Sequence, residues 1–292
     1  MSERLQQVLF ELICRASFEL PADVEDGLRQ ARVREEKGGG AERALTVILD
    51  NVESAAADRL PLCQDTGSLL FRVEAPVGLS YAVFAAAAES AVRRATEAGM
   101  LRPNCVDALT GRNSGTNLGR GMPAIEWHGH PEDRLQVSLI LKGGGCENVG
   151  RQYALPDLEL SADRNLEGVR KCCLDAVWRA QGGGCSPGVL GVCIGGDRAS
   201  GYQESKRQFL RSLGVRSPVA ELAELEERIL REANQLGVGP MGFGGNSTLL
   251  DVFVGRLDRL PASYFVTVSY MCWAFRRREV ILSWPELRLL EK

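Results

Sequence analysis

The sequence contains very little histidine and no phosphate-binding glycine loop. Its 292 residues include only two histidines, which disfavours a histidine-based zinc site. No glycine run is followed by the Lys-Ser or Lys-Thr pair of a nucleotide-binding loop. The histidines, His128 and His130, flank Gly129 beside Trp127 and Pro131, and we interpret this segment as a surface turn. Zinc hydrolases and nucleotide-dependent enzymes are therefore disfavoured.

Long apolar runs and clusters of one charge sign are also missing. No stretch approaches the roughly 18 apolar residues that a membrane span requires. The first five residues, Met-Ser-Glu-Arg-Leu, do not begin a secretory signal pattern. The net charge is −3 with both signs interspersed, so the chain has no basic stripe for nucleic acid. We expect a cytoplasmic protein with neither a membrane nor a nucleic-acid partner.

Three of the nine cysteines stand in distinctive segments marked by glycine, proline or aromatic residues. They are Cys63 in Pro-Leu-Cys-Gln-Asp-Thr-Gly, Cys185 in Gly-Gly-Gly-Cys-Ser-Pro-Gly and Cys272 in Tyr-Met-Cys-Trp-Ala. Three thiolates leave one iron of a cubane cluster, or one position on a single metal, open to a substrate. Five other cysteines have ordinary surroundings and are interpreted as small buried residues: Cys14, Cys105, Cys172, Cys173 and Cys193.

Hydrophobic periodicity predicts an α+β fold in which helices alternate with short strands. Helices are expected at 3–17, 21–36, 41–57, 81–98, 163–180 and 218–236, the last with Ser217 as its N-cap. Strands are expected at 68–75, 134–141, 189–194, 248–257 and 264–271. Each of the three distinctive cysteines then lies just outside a regular element, where a rigid scaffold positions functional loops.

Polar residues beside two of these cysteines allow more than one interpretation. Asp65 could hold a proton near a metal centre, or Asp65-Thr66-Gly67 could simply form an Asx-type turn before the strand. The run Arg276–Arg278 could bind a carboxylate, although an arginine run is more often a solvated face. From another class of protein, the cysteines could hold an electron-transfer cluster or a structural zinc. Such sites favour four ligands or paired Cys-x-x-Cys spacing, which these segments lack.

Six motifs occur along nearly the whole chain: PLCQDTG at 61–67, LRPN at 101–104, KGGGCEN at 142–148, GCSP at 184–187, GVGPMGFGGN at 237–246 and CWAFRR at 272–277. Together and in this order they resemble the α subunit, or N-terminal domain, of the iron-sulfur class I fumarate hydratase and L-tartrate dehydratase family. The resemblance implies a single catalytic domain over residues 1–292, whose loops converge on an iron-sulfur cluster.

The resemblance also implies a set of site residues. A 4Fe-4S cluster would be held by Cys63, Cys185 and Cys272, with the fourth iron free to act on substrate as a Lewis acid. Asp65 would be catalytic, and the substrate would be contacted by Gln64, Arg102 and the backbone of Gly143, Gly144 and Gly145. The substrate would be a four-carbon 2-hydroxy dicarboxylate.

The first hypothesis for the activity is the α subunit of a hydro-lyase that interconverts (S)-malate and fumarate, a reaction of the tricarboxylic acid cycle. The α subunit of L-tartrate dehydratase is the alternative. Many members of the family carry histidine before a proline where this sequence has Leu260, so one substrate contact is expected to differ. The family's catalytic threonine base lies in a second domain, which implies a separate β subunit and an α2β2 heteromer.

Overall fold

The structure, a computed structural model, describes residues 2–288. The helices are α1 Ser2–Phe18, α2 Ala22–Arg34, α3 Gly40–Asp58, α4 Tyr81–Glu97, α5 Gly144–Asn148, α6 Leu166–Ala180, α7 Arg198–Arg207 and α8 Ala220–Gln235. The strands are β1 Ser68–Pro76, β2 Ala124–His130, β3 Arg134–Lys142, β4 Arg151–Ala154, β5 Gly188–Ile194, β6 Leu249–Arg256, β7 Phe265–Met271 and β8 Arg276–Ser283. This composition confirms the α+β class.

The chain divides into two compact units, each made of separate segments. The first unit contains the segment ending at Pro21, Asn51–Gly143 and the segment beginning at Arg276. The second unit contains Ala22–Asp50 and Gly144–Phe275. One of the points where the chain passes between units, after Asp50, falls within α3.

The first unit is built on a sheet with strand order β2-β1-β3-β8. β2 is parallel to β1, whereas the other neighbouring strands are antiparallel. β1 alternates buried and half-buried side chains, and its buried side chains join α1 and α4 in an apolar core. Phe84 of α4 meets Phe71 of β1 edge-on, with ring centroids 6.1 Å apart. α4 is capped by Ser80, whose Oγ accepts a hydrogen bond from the backbone N of Val83.

The second unit is built on a sheet with strand order β4-β7-β5-β6, in which only β5 and β6 are parallel. Every residue of β5 is buried. α6 and α8 share an apolar core with this sheet. α7 lies so close to β5 that a Cβ at Gly191 would stand 2.1 Å from the carbonyl oxygen of Ser205. Glycine is therefore needed at this position.

The predicted helices and strands are all present, and their ends differ from the predicted ends by only a few residues. The predicted cap of α8 is wrong. That helix begins at Ala220, and Ser217 instead donates its backbone N–H to the buried carboxylate of Glu226 at 2.9 Å. The prediction of one domain over 1–292 stays a prediction.

The two histidines do not form a surface turn, because they lie on β2, which pairs with β1. His128 is held in a cross-strand cluster: its Nε2 lies 2.6 Å from Oε1 of Glu126, which also pairs with Arg72 of β1. The charged partners on β1 explain why this polar segment extends as a strand.

The arginine run is not a solvated face. It opens β8, where Arg276 is 1% exposed and Arg277 is 8% exposed. Arg278 pairs with Glu19, just after α1. Arg276 and Arg277 are buried and Arg278 is half-buried because β8 pairs with β3 within the first unit.

Across residues 2–288, none of the helices has both the length and the apolar composition needed to cross a bilayer.

Candidate functional site

Cys63 is half-buried on the loop that joins α3 to β1, as predicted. Within this loop, Oδ1 of Asp65 accepts a hydrogen bond from the backbone N of Gly67 at 3.0 Å, which confirms the Asx-type turn. Gly67 has a φ of +79°, and a Cβ there would lie 2.6 Å from the carbonyl carbon of Lys142. Only glycine allows this turn to pack against the end of β3.

Asp65 and Gly143 lie together in the first unit. A Cβ at Gly143 would stand 2.8 Å from Oδ2 of Asp65 and 3.3 Å from its Cγ. The Asp65 carboxylate therefore occupies the space that a side chain at position 143 would need. This close approach requires glycine at the first position of the Gly-Gly-Gly segment.

Arg102 is tied to the same loop through its backbone. Its N–H donates to Oγ1 of Thr66 at 3.0 Å, and Nδ2 of Asn104 donates to the same oxygen at 3.0 Å. The guanidinium of Arg102 is exposed and makes a long contact of 3.4 Å with the carbonyl oxygen of Gln64. The structure thus brings Gln64, Asp65 and Arg102 together, with two exposed polar side chains beside a fixed carboxylate.

Asn117 supports this arrangement and was missed by the sequence analysis. It is 4% exposed with a φ of +58°. Its Oδ1 accepts from the backbone N of Asn104 at 2.6 Å, while its Nδ2 donates to the carbonyl oxygen of Arg102 at 2.8 Å and to Oγ1 of Thr96 at 3.0 Å. An asparagine among glycine and serine reads as an ordinary turn residue, so the sequence carried no distinguishing signal.

Arg276 also contacts the loop after Cys63, a contact that differs from the carboxylate binding considered for the arginine run. Its Nη2 donates to the carbonyl oxygen of Asp65 at 2.8 Å. Within the part of the chain that the structure describes, its buried Nε and Nη1 have no hydrogen-bond partner.

Cys185 and Cys272 lie together in the second unit, and both are half-buried. Cys185 follows a 3-10 turn at Gln181–Gly184 and adopts a left-handed conformation with a φ of +51°. Its carbonyl oxygen accepts a hydrogen bond from the backbone N of Trp273 at 3.2 Å. This bond joins the two cysteine loops.

Tyr270 is the side chain that shapes these loops. A Cβ at Gly184 would stand 2.5 Å from its ring, and a Cβ at Gly188 would stand 2.3 Å from it. Burial raises the pKa of the Tyr270 phenol, and the charge of three nearby cysteines, when they are thiolates, raises it further: Cys272, Cys146 and Cys185. Cys146, on α5, is therefore a third sulfur in these surroundings. The sequence analysis quoted it only within a motif.

Most of the cysteines interpreted as small buried residues are buried: Cys105, Cys172, Cys173 and Cys193. Cys14 is the exception, since it is only half-buried. Burial raises the pKa of the thiols of Cys172 and Cys193 to about 12 and that of Cys14 to about 11. These thiols remain protonated near neutral pH and are poor metal ligands.

Ser186, which follows Cys185, is fully buried, and its Oγ donates to the carbonyl oxygen of Gly239 at 2.6 Å. The Gly-x-Ser-x-Gly pattern at 184–188 therefore serves structure and presents no exposed nucleophile. Leu260 is exposed on the segment between β6 and β7.

The three predicted metal ligands are distributed over both units. Cys63 belongs to the first, whereas Cys185 and Cys272 belong to the second. No group of three or more His, Cys, Asp or Glu side chains within residues 2–288 is arranged to hold a metal ion. The donor chemistry nevertheless fits an iron-sulfur cluster, because half-buried thiols are the soft ligands that such clusters use.

The family model described as fumarate hydratase (Fumerase) matches residues 6–281. A protein named fumarate hydratase class I from Geobacillus stearothermophilus is 47% identical over 279 residues, covering 94% of this chain and 54% of that protein. A protein named L(+)-tartrate dehydratase subunit alpha from Methanocaldococcus jannaschii is 33% identical over 279 residues, covering 94% and 96%. The Escherichia coli K12 protein of that name is 31% identical over 283 residues, covering 96% and 91%.

Hydratases and dehydratases catalyse opposite directions of one reaction class, the addition or elimination of water, and are together called hydro-lyases. The chain belongs to the fumarate hydratase (Fumerase) family, so the predicted resemblance is confirmed. It spans about half the length of the Geobacillus relative.

Proposed function

We propose that this chain is the α component of a hydro-lyase that interconverts (S)-malate and fumarate. The observation that carries the proposal is the grouping of Gln64, Asp65 and Arg102 beside Cys63 in a chain of this family. A fixed carboxylate next to an exposed guanidinium and an exposed amide suits a small dicarboxylate that must be held while a proton moves.

A 4Fe-4S cluster is the proposed cofactor, held by Cys63, Cys185 and Cys272. When bound, it supplies a Lewis-acidic iron that polarises the hydroxyl group to be eliminated. The cofactor proposal is supported by the half-burial of all three thiols and by the hydrogen bond that joins the Cys185 and Cys272 loops.

The side chains of the first unit have distinct proposed roles. The planar guanidinium of Arg102 binds a substrate carboxylate through two parallel N–H bonds. The Gln64 amide contacts the substrate beside it. Asp65, whose Oδ1 is held by Gly67, handles a proton at the departing hydroxyl oxygen.

The glycine segment after β3 offers backbone donors. We assign substrate contacts to Gly143, Gly144 and Gly145. Gly144 and Gly145 begin α5, and the absence of side chains lets a substrate carboxylate approach the backbone N–H groups of the three glycines closely.

The base that removes the α proton is proposed to come from a separate β subunit. Asp65, beside the proposed iron, is better suited to the leaving oxygen than to the α carbon. Two relatives are named as α subunits and match this chain over nearly their whole length. We therefore propose a cytoplasmic α2β2 heteromer.

L-tartrate dehydratase is the second candidate function. It is favoured by the near-full coverage of the two tartrate dehydratase subunits, whereas malate and fumarate are favoured by the higher identity to the Geobacillus relative. The two substrates differ by one hydroxyl, which a few contacts can discriminate. The ratio of kcat/KM for malate and L-tartrate, measured on the assembled enzyme, decides between them.

The cofactor is tested by metal and acid-labile sulfide analysis of anaerobically prepared protein. We expect about four iron and four sulfide per chain. Cys63→Ser, Cys185→Ser and Cys272→Ser should each abolish the cluster, whereas the control Cys172→Ser should keep it. Zinc without sulfide, or equal loss in the control, would contradict the assignment.

The partner is tested by activity. The cluster-loaded chain alone should neither hydrate fumarate nor dehydrate malate or tartrate, and addition of the β subunit should restore turnover. Turnover of about 1 to 1000 per second by the chain alone would show that the base lies within it.

A further inference from the structure

Arg276 carries a buried positive charge whose hydrogen bonds are incomplete. Its side chain is 1% exposed and is among the largest fully buried side chains. One nitrogen, Nη2, donates to the carbonyl oxygen of Asp65 at 2.8 Å. The other two, Nε and Nη1, have no hydrogen-bond partner in the described residues 2–288. Burying a guanidinium in this way is unfavourable unless an anion completes its surroundings.

The sheet itself does not supply that anion. The residue opposite Arg276 on β3 is Leu141, which is apolar and fully buried. Arg278 lies on the same face of β8, two residues along, and its guanidinium pairs with the carboxylate of Glu19. On β8, Arg278 therefore has a carboxylate partner, whereas Arg276, next to the Cys63 loop, has none among the described residues 2–288.

The contact of Arg276 with Asp65 places this charge at the loop that carries the first proposed cluster ligand. Asp65 is two residues after Cys63 on that loop. Lys142, at the end of β3, is also 1% exposed and packs its backbone against Gly67 of the same loop. The end of β3 thus also packs on this loop, and an anionic group held by the loop would offset the buried charge of Arg276.

We propose that Arg276 is a positioning residue that fixes the Cys63–Gly67 loop and provides the counter-charge for the anionic iron-sulfur cluster bound through Cys63. This inference rests on the proposed function. One N–H of Arg276 orients the loop through the Asp65 carbonyl, and the remaining N–H groups stabilise the negative charge of thiolate and sulfide. Hydrogen bonds and positive charge near cluster sulfurs also raise or lower the reduction potential.

The test compares Arg276→Met, Arg276→Lys and the control Arg278→Met in the full chain, prepared anaerobically with and without the cluster. Two quantities are measured: the thermal unfolding midpoint of the cluster-free chain, and the rate of iron loss to a chelator from the loaded chain. In Arg276→Met the cluster-free midpoint should equal or exceed that of the wild type, because an uncompensated charge is removed. Iron loss should be about tenfold faster or more, as for other residues that support metal ligands.

The controls separate this role from ordinary packing. Arg278→Met should lower the cluster-free midpoint, because Glu19 loses one of its arginine partners and keeps Arg15, but should release iron at the wild-type rate. Arg276→Lys keeps the charge without the fork and should release iron at an intermediate rate. If Arg276→Met does not fold, the iron-loss rate and midpoint of Arg276→Lys decide the question.

The results that would contradict this inference differ from those that would contradict the proposed function. Arg276 variants that retain iron as well as the wild type, or that lose iron only in proportion to a lowered cluster-free midpoint, would overturn this inference alone. A wild-type chain that takes up no iron and sulfide would overturn both this inference and the proposed function.

Discussion

Gly143→Ala tests whether the Asp65 carboxylate is held in place by the segment after β3. The introduced Cβ would lie 2.8 Å from Oδ2 of Asp65, whereas ordinary contacts begin at 3.4 Å, so the carboxylate must move by about 0.6 Å. It is not free to do so, because Oδ1 accepts the Gly67 N–H at 3.0 Å. The φ of Gly143 is not in the left-handed region, so alanine meets no backbone strain there. The clash with Asp65 is then the main effect.

The size of the Gly143→Ala effect depends on overpacking at position 143 and on displacement of the Asp65 carboxylate. Overpacking of a fixed site lowers the free energy of unfolding by about 1–3 kcal/mol. A displacement of this order at a reacting group lowers kcat of the assembled enzyme by about tenfold to a hundredfold. In the background Asp65→Ala the clashing atoms are gone, so adding Gly143→Ala should cost about 1 kcal/mol less than it does in the wild type.

Urea unfolding of the four chains in this double-mutant cycle measures the coupling, and steady-state kinetics with the β subunit measures kcat. Gly129→Ala is the matched control, because a Cβ there meets no atom within 4 Å and its φ is not positive. A Gly143→Ala chain that matches the Gly129→Ala control in both stability and kcat would refute the reasoning.

Three further predictions follow. Arg102→Lys keeps the charge but loses the planar fork, so kcat/KM should fall at least tenfold, about 1.4 kcal/mol, with iron content unchanged; wild-type kinetics would remove Arg102 from the site. Asn117→Ala removes three hydrogen bonds and should lower the free energy of unfolding, measured with urea, by about 1–3 kcal/mol; an unchanged midpoint would contradict its supporting role. Burial raises the pKa of the Cys193 thiol to about 12. Its alkylation at pH 8, measured by mass spectrometry, should therefore be roughly a thousandfold slower than that of a free cysteine. The rate should increase as the pH rises towards 12. Rapid labelling of Cys193 in the folded chain at pH 8 would contradict it.

Local periodicity predicted the elements that have one apolar face, such as α4 and β1, because that pattern depends only on residues close together in sequence. β2 and β8 lack it. β2 carries Glu126 and His128, whose partner Arg72 is on another strand. β8 begins with three arginines, of which Arg276 and Arg277 are buried where the strand pairs with β3. Strand formation there depends on partners distant in sequence, which no local pattern reveals.

The candidate site likewise contains residues that the sequence identified and residues that only the structure reveals. Motif resemblance selected Gln64, Asp65 and Arg102, and the structure groups them on one loop system. The residues that support this grouping act through long-range hydrogen bonds: Asn117 contacts the backbone of Asn104 and Arg102 and the hydroxyl of Thr96, and Arg276 contacts the Asp65 carbonyl. Such bonds require no particular neighbours in sequence, so they become visible only once the chain has folded.

The pairing of β8 with β3 has a consequence for protein synthesis. Both strands belong to the first sheet, but Gly144–Phe275 lies between them in the chain. A ribosome that adds about 5–20 residues per second needs roughly 7 to 26 seconds to translate that stretch. Throughout this interval the emerging β3 has an open edge, and open edges pair readily with other chains. The nascent polypeptide is therefore most exposed to pairing with other chains during the interval between translation of β3 and translation of β8.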